Sequence, residues 1–239
     1  MIISEPDRKA LVHYLSHFDD RLRFLERQRE KLAGSYLSLR TLIGLLGMAL
    51  PLVVSFGALV FHQTGLQTSI SAYYHTDMRD FLVGILWAVG LFLFSYQGYE
   101  PIDAAAAKFA CFCAICVAVF PTAPDGATEP GVIFTGQIHL VFAALLFVTL
   151  TGFCFLLFTK TDPSQPPSRR KLQRNMIYRV SGAVMFTSIL LMVIYHLLPP
   201  ELTVTLAAFK PVYWLESLAI FAFGISWFVK GEGILKDEA

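Results

Sequence analysis

The stretch VIFTGQIHLVFAALLFVTLTGFCFLLF, residues 132–158, contains no Asp, Glu, Lys or Arg. A helix crosses the hydrocarbon core of a bilayer with about 20 apolar residues, so this segment is long enough to span and to tilt. It lacks the alternation of a barrel strand, and a backbone in hydrocarbon must satisfy its own hydrogen bonds, which leaves a helix. Blocks of the same kind lie at 41–61, 79–98, 104–120, 177–198 and 211–229. Hydrophobic residues make up 55% of the 239 positions, and the mean hydropathy is +0.58. The chain therefore reads as all-α, a polytopic membrane bundle of six transmembrane helices within 41–230. A cytoplasmic amphipathic helix (1–40) precedes the bundle and a short cytoplasmic tail (231–239) follows it.

Orientation follows from lysine and arginine. Arg8, Lys9, Arg21, Arg23, Arg27, Arg29, Lys31 and Arg40 precede the first span, and Lys160, Arg169, Arg170, Lys171, Arg174 and Arg179 stand between the fourth and fifth. The opposite connections hold Arg79 and Lys210 among Asp77, Asp80, Asp125, Glu129 and Glu201. Six spans put both basic segments inside, with both termini cytoplasmic, in a plasma membrane of the bacterial inner-membrane type. The net charge of +1 conceals this asymmetry. Membrane lipid is the expected partner, and no nucleic-acid-binding module is present. A cleavable signal peptide is not expected, because the first long apolar block starts near residue 41.

In the N-terminal segment Leu11, Leu15, Phe18, Leu22, Leu25 and Leu32 follow a four-three spacing interrupted by Arg29, with charges on the other faces. That pattern predicts an amphipathic helix over 8–33 and suits a homo-oligomer, packing within one subunit, or the membrane surface. Gly34-Ser35 marks a hinge into the first span. Prolines in 161–168 break the chain between a four-span and a two-span part. Cys111, Cys113, Cys116 and Cys154 fall inside spans and read as small packing residues.

The expected outer side gathers the ionisable groups. His139 lies about two turns into the fourth span, His196 near the end of the fifth, and Glu216 one to two turns into the sixth, while His75, Asp77 and Asp80 open the second. Ionisable groups at such depth need a cavity, a partner or a metal. Imidazoles with a carboxylate are the donor set of a zinc site that keeps one position for water, so His75, His139 and His196 are candidate zinc ligands. Ser71, Asp80 and Glu216 are the candidate catalytic groups. The non-catalytic readings are a structural His139–Glu216 pair, helix capping by Asp77 and Asp80, interfacial roles for His62 and His196, and belt anchoring by Tyr213 and Trp214. The stripe Ser181, Met185, Ser188, Met192, His196 is expected to face Thr135, His139 and Ala143 across one polar cavity.

On Ser71-Ala72-Tyr73-Tyr74-His75 the chain resembles the superfamily of membrane metal hydrolases that includes the alkaline ceramidases and adiponectin receptors. The resemblance rests on Ser71, His75 and Asp80, and it implies a zinc-dependent hydrolase. Six spans instead of seven, the early Asp80 and the lack of a late His-x-x-x-His depart from that pattern. The run from Ser69 through Phe81 also looks like uncharacterised bacterial polytopic membrane proteins.

Three function classes follow. The first is a metal-dependent hydrolase of a lipid or amphiphile, with Asp80 or Glu216 as acid-base group and Ser71 orienting water. The second is a channel, transporter or non-catalytic membrane scaffold. The third is a haem-bearing redox protein using two outer histidines. A P-loop, a dinucleotide fingerprint, a His-Glu-x-x-His motif and a selectivity-filter run are all missing.

Overall fold

The computed structural model describes residues 5–61, 63–161, 164 and 166–235, with side chains from His17 onward. His62, Asp162, Pro163, Gln165 and residues 236–239 lie outside the described residues, as do the side chains of Leu11 and Leu15. The described chain is all helical: α1 (Glu5–Phe61), α2 (Arg79–Phe94), α3 (Pro101–Val119), α4 (Pro130–Gly152), α5 (Arg169–His196), α6 (Pro200–Ala207) and α7 (Pro211–Lys230). A 3-10 turn, Ser71–His75, precedes α2, and a π-helical turn, Phe153–Leu157, extends α4.

Among the described residues five helices are long and apolar enough to cross a membrane by length and composition: α1, α3, α4 with its π turn, α5 and α7. The block expected at 79–98 forms α2, which stops at Phe94 after 16 residues. The segment 95–98 cannot extend it, because the chain turns at Gly98. A Cβ there would collide with the side chain of Asp103, whose carboxylate accepts the Tyr99 and Glu100 N–H groups at 2.9 and 3.3 Å. The hinge expected at Gly34-Ser35 is absent; α1 runs through both residues. Glycine lowers helix stability by about 1 kcal/mol without forcing a break. Helix α6 was not expected and starts at Pro200, whose missing N–H would have no intrahelical partner there.

The chain divides into two units, residues 1–39 and 40–239. In the first, Phe18, Leu22, Leu25 and Leu32 are exposed. In the second, α7 packs on α5, α2 on α3, and α3 on α4. The α1–α7 crossing is set by two glycines. A Cβ on Gly224 would stand 2.7 Å from the Gly44 carbonyl oxygen, and one on Gly44 would stand 2.6 Å from that of Gly224. Backbones this close are the usual means by which helices associate without a hydrophobic driving force. Around the crossing Tyr96, Phe153, Phe158 and Trp227 stack edge to face or tilted, with ring centroids 5.1–5.7 Å apart. Large apolar side chains such as Leu52, Phe56, Phe94, Phe134, Val148 and Leu156 point outward. A bundle that turns this much apolar surface outward is built for an apolar surrounding.

Candidate functional site

The ends of α1, α3 and α5 and the starts of α2, α4 and α7 meet at one end of the bundle, the histidine end. Its polar groups answer the orphan backbone groups of helix termini. The Glu216 carboxylate accepts hydrogen bonds from Ile70 N–H at 2.6 Å and Ser71 N–H at 3.3 Å, and from the Ser71 hydroxyl at 3.5 Å. These are the first donors of the 3-10 turn, so the carboxyl group of an α7 side chain caps a helical N-terminus. At the other pole of the same logic, α3 ends at Val119, and the carbonyls of Phe120 and the residues after it lie past the helix end. His139 Nδ1–H, from α4, donates to Phe120 O at 2.7 Å. His75 Nε2–H, from the 3-10 turn, donates to Thr122 O at 2.7 Å. Both bonds fix the tautomer, since a carbonyl can only accept.

Further bonds tie the segment before the 3-10 turn to α7. Tyr213 N–H donates to Thr68 O at 3.1 Å, the Tyr213 hydroxyl lies 2.7 Å from Ser55 Oγ, and Lys210 Nζ donates to Leu66 O. Tyr213 is therefore buried inside the bundle, where a belt anchor was expected, while Trp214 is exposed.

The structure brings Ser71 to Glu216, and His75 and His139 to one loop, but it does not gather the expected zinc ligands. Among the described residues no three His, Cys, Asp or Glu side chains are disposed to hold a metal ion. Among the described residues, the donors at this end do not form a set that fits zinc. The single polar cavity of the sequence reading is also split. A pocket of about 540 Å³ is lined by His75, Asp77 and Arg79, and lacks His139, His196 and Glu216. A smaller one of about 70 Å³ holds Ser71 and Glu216 among apolar residues of α1, α2, α3, α4 and α7. The 3-10 turn explains the split. With three residues per turn, Ser71 and His75 point about 120° apart, whereas an α-helix would put them on one side.

No protein-family model, curated protein or solved structure matches this chain.

The remaining candidates stand apart from this network. His196 is exposed at the end of α5, although Ser181, Met185 and Ser188 of its expected stripe are buried. At about 100° per residue, His196 has drifted about 60° from the Ser181 face. His196 is exposed where His139 is buried, and in place of the expected His139–Glu216 pair His139 bonds to Phe120 O and Glu216 to the Ile70 and Ser71 N–H groups. Asp80 is exposed in the first turn of α2, where an acid favours the helix dipole. The four cysteines are buried and unbridged.

The sequence reading missed polar groups at the opposite, basic end. Asp103, fully buried at the start of α3, accepts from Lys160 Nζ at 2.7 Å, and Glu100 accepts from the same nitrogen at 3.0 Å. The hydrogen bond to Asp103, then that to Glu100, holds the Lys160 ammonium above the usual lysine range. Asp103 one residue before an apolar block, and Lys230 one residue after another, were the available signals.

Proposed function

We propose that this chain is a six-span membrane protein of the non-catalytic class, a scaffold whose ionisable groups at the histidine end join helices instead of performing hydrolysis. The observation that carries this reading is the Glu216 carboxylate, whose oxygens are taken up by Ile70, Ser71 and the Ser71 hydroxyl. A carboxylate so engaged is positioned as a cap, and the histidines donate to backbone carbonyls in the same manner. In this reading α2 completes the sixth crossing, both termini lie in the cytoplasm of a bacterial cell, and membrane lipid is the partner. The basic residues of the first and fourth-to-fifth connections support that orientation.

Melting of the purified full-length protein tests the assignment. Glu216→Ala leaves two backbone donors and a hydroxyl unanswered, and should lower stability by about 1–3 kcal/mol, a fall of several degrees in melting temperature. Glu216→Gln keeps an acceptor oxygen and should lose less. Unchanged melting in both variants, together with loss of a wild-type activity on an amphiphilic ester, would overturn the scaffold reading in favour of hydrolysis. That second reading has one observation in its favour: Ser71 and Glu216 stand together on an apolar cavity.

A further inference from the structure

The basic end of the bundle holds a separate pocket of about 750 Å³. Small-molecule sites have volumes of about 300–1,000 Å³. Its cations come from parts of the chain far apart in sequence: Arg40 of α1, Lys160 beyond the π turn, Lys171 and Arg174 near the start of α5, and Lys230 at the end of α7. Among the described residues the carboxylates in the lining are Glu100 and Glu232. Lys160 is held by Glu100 and Asp103, as described above, and Arg174 lies 3.8 Å from Glu232. Among the described residues, the cations of the lining thus outnumber the carboxylates on and beside it.

Lys230 is the decisive member. It is 7% exposed, and among the described residues its ammonium makes no hydrogen bond or ion pair. Its neighbours are the ring faces of Tyr99 and Phe158, with centroids at 5.1 and 5.3 Å. A cation over an aromatic face gains less than withdrawing an ammonium from water costs. Two rings offset only part of that cost, and although Asp103 attracts the ammonium, the neighbouring Arg40, Lys171 and Arg174 together repel it. An anion in the pocket would answer both at once.

We propose that this pocket binds a phosphate-bearing anion, with the Lys230 ammonium as its buried contact and Arg40, Lys171 and Arg174 around it. A phosphate group accepts from several donors simultaneously and matches both the guanidinium fork and the ammonium point charge. Basic pockets between helices at a membrane face also take anionic headgroups. The same chemistry is offered by a lipid headgroup and by free phosphate.

Titration of the full-length protein in a neutral detergent at fixed ionic strength separates the two sources. The probes are dihexanoyl phosphatidylglycerol, dihexanoylglycerol lacking the phosphate, and inorganic phosphate, read by calorimetry and by melting temperature. Phosphatidylglycerol, inorganic phosphate or both should bind and raise the melting temperature, and dihexanoylglycerol should do neither. A response to the lipid alone assigns a headgroup site, and one to inorganic phosphate assigns a site for the free ion.

Lys230→Met should weaken binding at least tenfold while melting at or above wild type without ligand, because methionine packs on the same rings and carries no charge. A purely structural lysine would give the opposite melting result. Lys171→Gln, at a half-buried position, should weaken binding several-fold and serves where Lys230→Met does not fold. Absence of binding by wild type, or undiminished binding in the folded variants, would overturn the proposal.

Discussion

At the histidine end three side chains meet backbone groups of complementary polarity: the Glu216 carboxyl faces N–H groups, and the His75 and His139 imidazole N–H groups face carbonyls. Burial makes these contacts count, since His139 is 6% exposed and an unanswered carbonyl beside it would find little water. His139→Ala should therefore destabilise the protein by about 1–3 kcal/mol, measured as a lowered melting temperature. His75→Ala should cost less, because His75 is exposed and water can replace it. Equal losses for the two would contradict this ordering. The placement of His139 and Glu216 within apolar helices was legible in the sequence, because both fall inside long apolar blocks. Their partners were not, since spacing restricts which side chains share a helix face and says nothing of backbone carbonyls beyond a helix end.

Among the elements, the long apolar blocks were legible because composition and length decide whether a helix can cross a membrane. The shorter features were decided by contacts instead. Five residues at 71–75 are too few to display a period, so the 3-10 turn that separates Ser71 from His75 had no sequence signature. The end of α2 depended on the contact between Gly98 and Asp103. The α1–α7 crossing also rests on glycine, and it yields a direct test. Gly224→Ala places a methyl group against the Gly44 carbonyl and the Met48 backbone, neither of which can swing aside as a side-chain tip does. The expected loss is about 1–3 kcal/mol, seen as a lower melting temperature. Gly84→Ala, with nothing within 4 Å of its Cβ, is the matched control and should be neutral or stabilising. Similar losses at both positions would show that helix propensity, not backbone approach, sets the effect.

For the whole molecule, the status of α2 decides the topology. Its 16 residues rise about 24 Å at 1.5 Å per residue, short of a hydrocarbon core of about 30 Å. Flanking residues or local thinning can make up that difference at a modest cost. If α2 crosses, residues 21 and 168 lie on the same side and residue 125 on the other. If it does not, residues 21 and 125 lie on the same side. Single cysteines at Arg21, Asp125 and Ser168 distinguish the two with an impermeant thiol reagent on intact cells, and the four native cysteines are buried and should stay silent. The expected pattern is labelling of Asp125→Cys from outside, with Arg21→Cys and Ser168→Cys labelled only after permeabilisation. Five crossings would require Arg21→Cys and Asp125→Cys to behave alike. That arrangement would part the basic residues before α1 from those between α4 and α5, against the tendency of lysine and arginine to remain on the cytoplasmic side. Labelling of Ser168→Cys in intact cells would place the basic pocket outside and remove the cytoplasmic leaflet as the source of its anion.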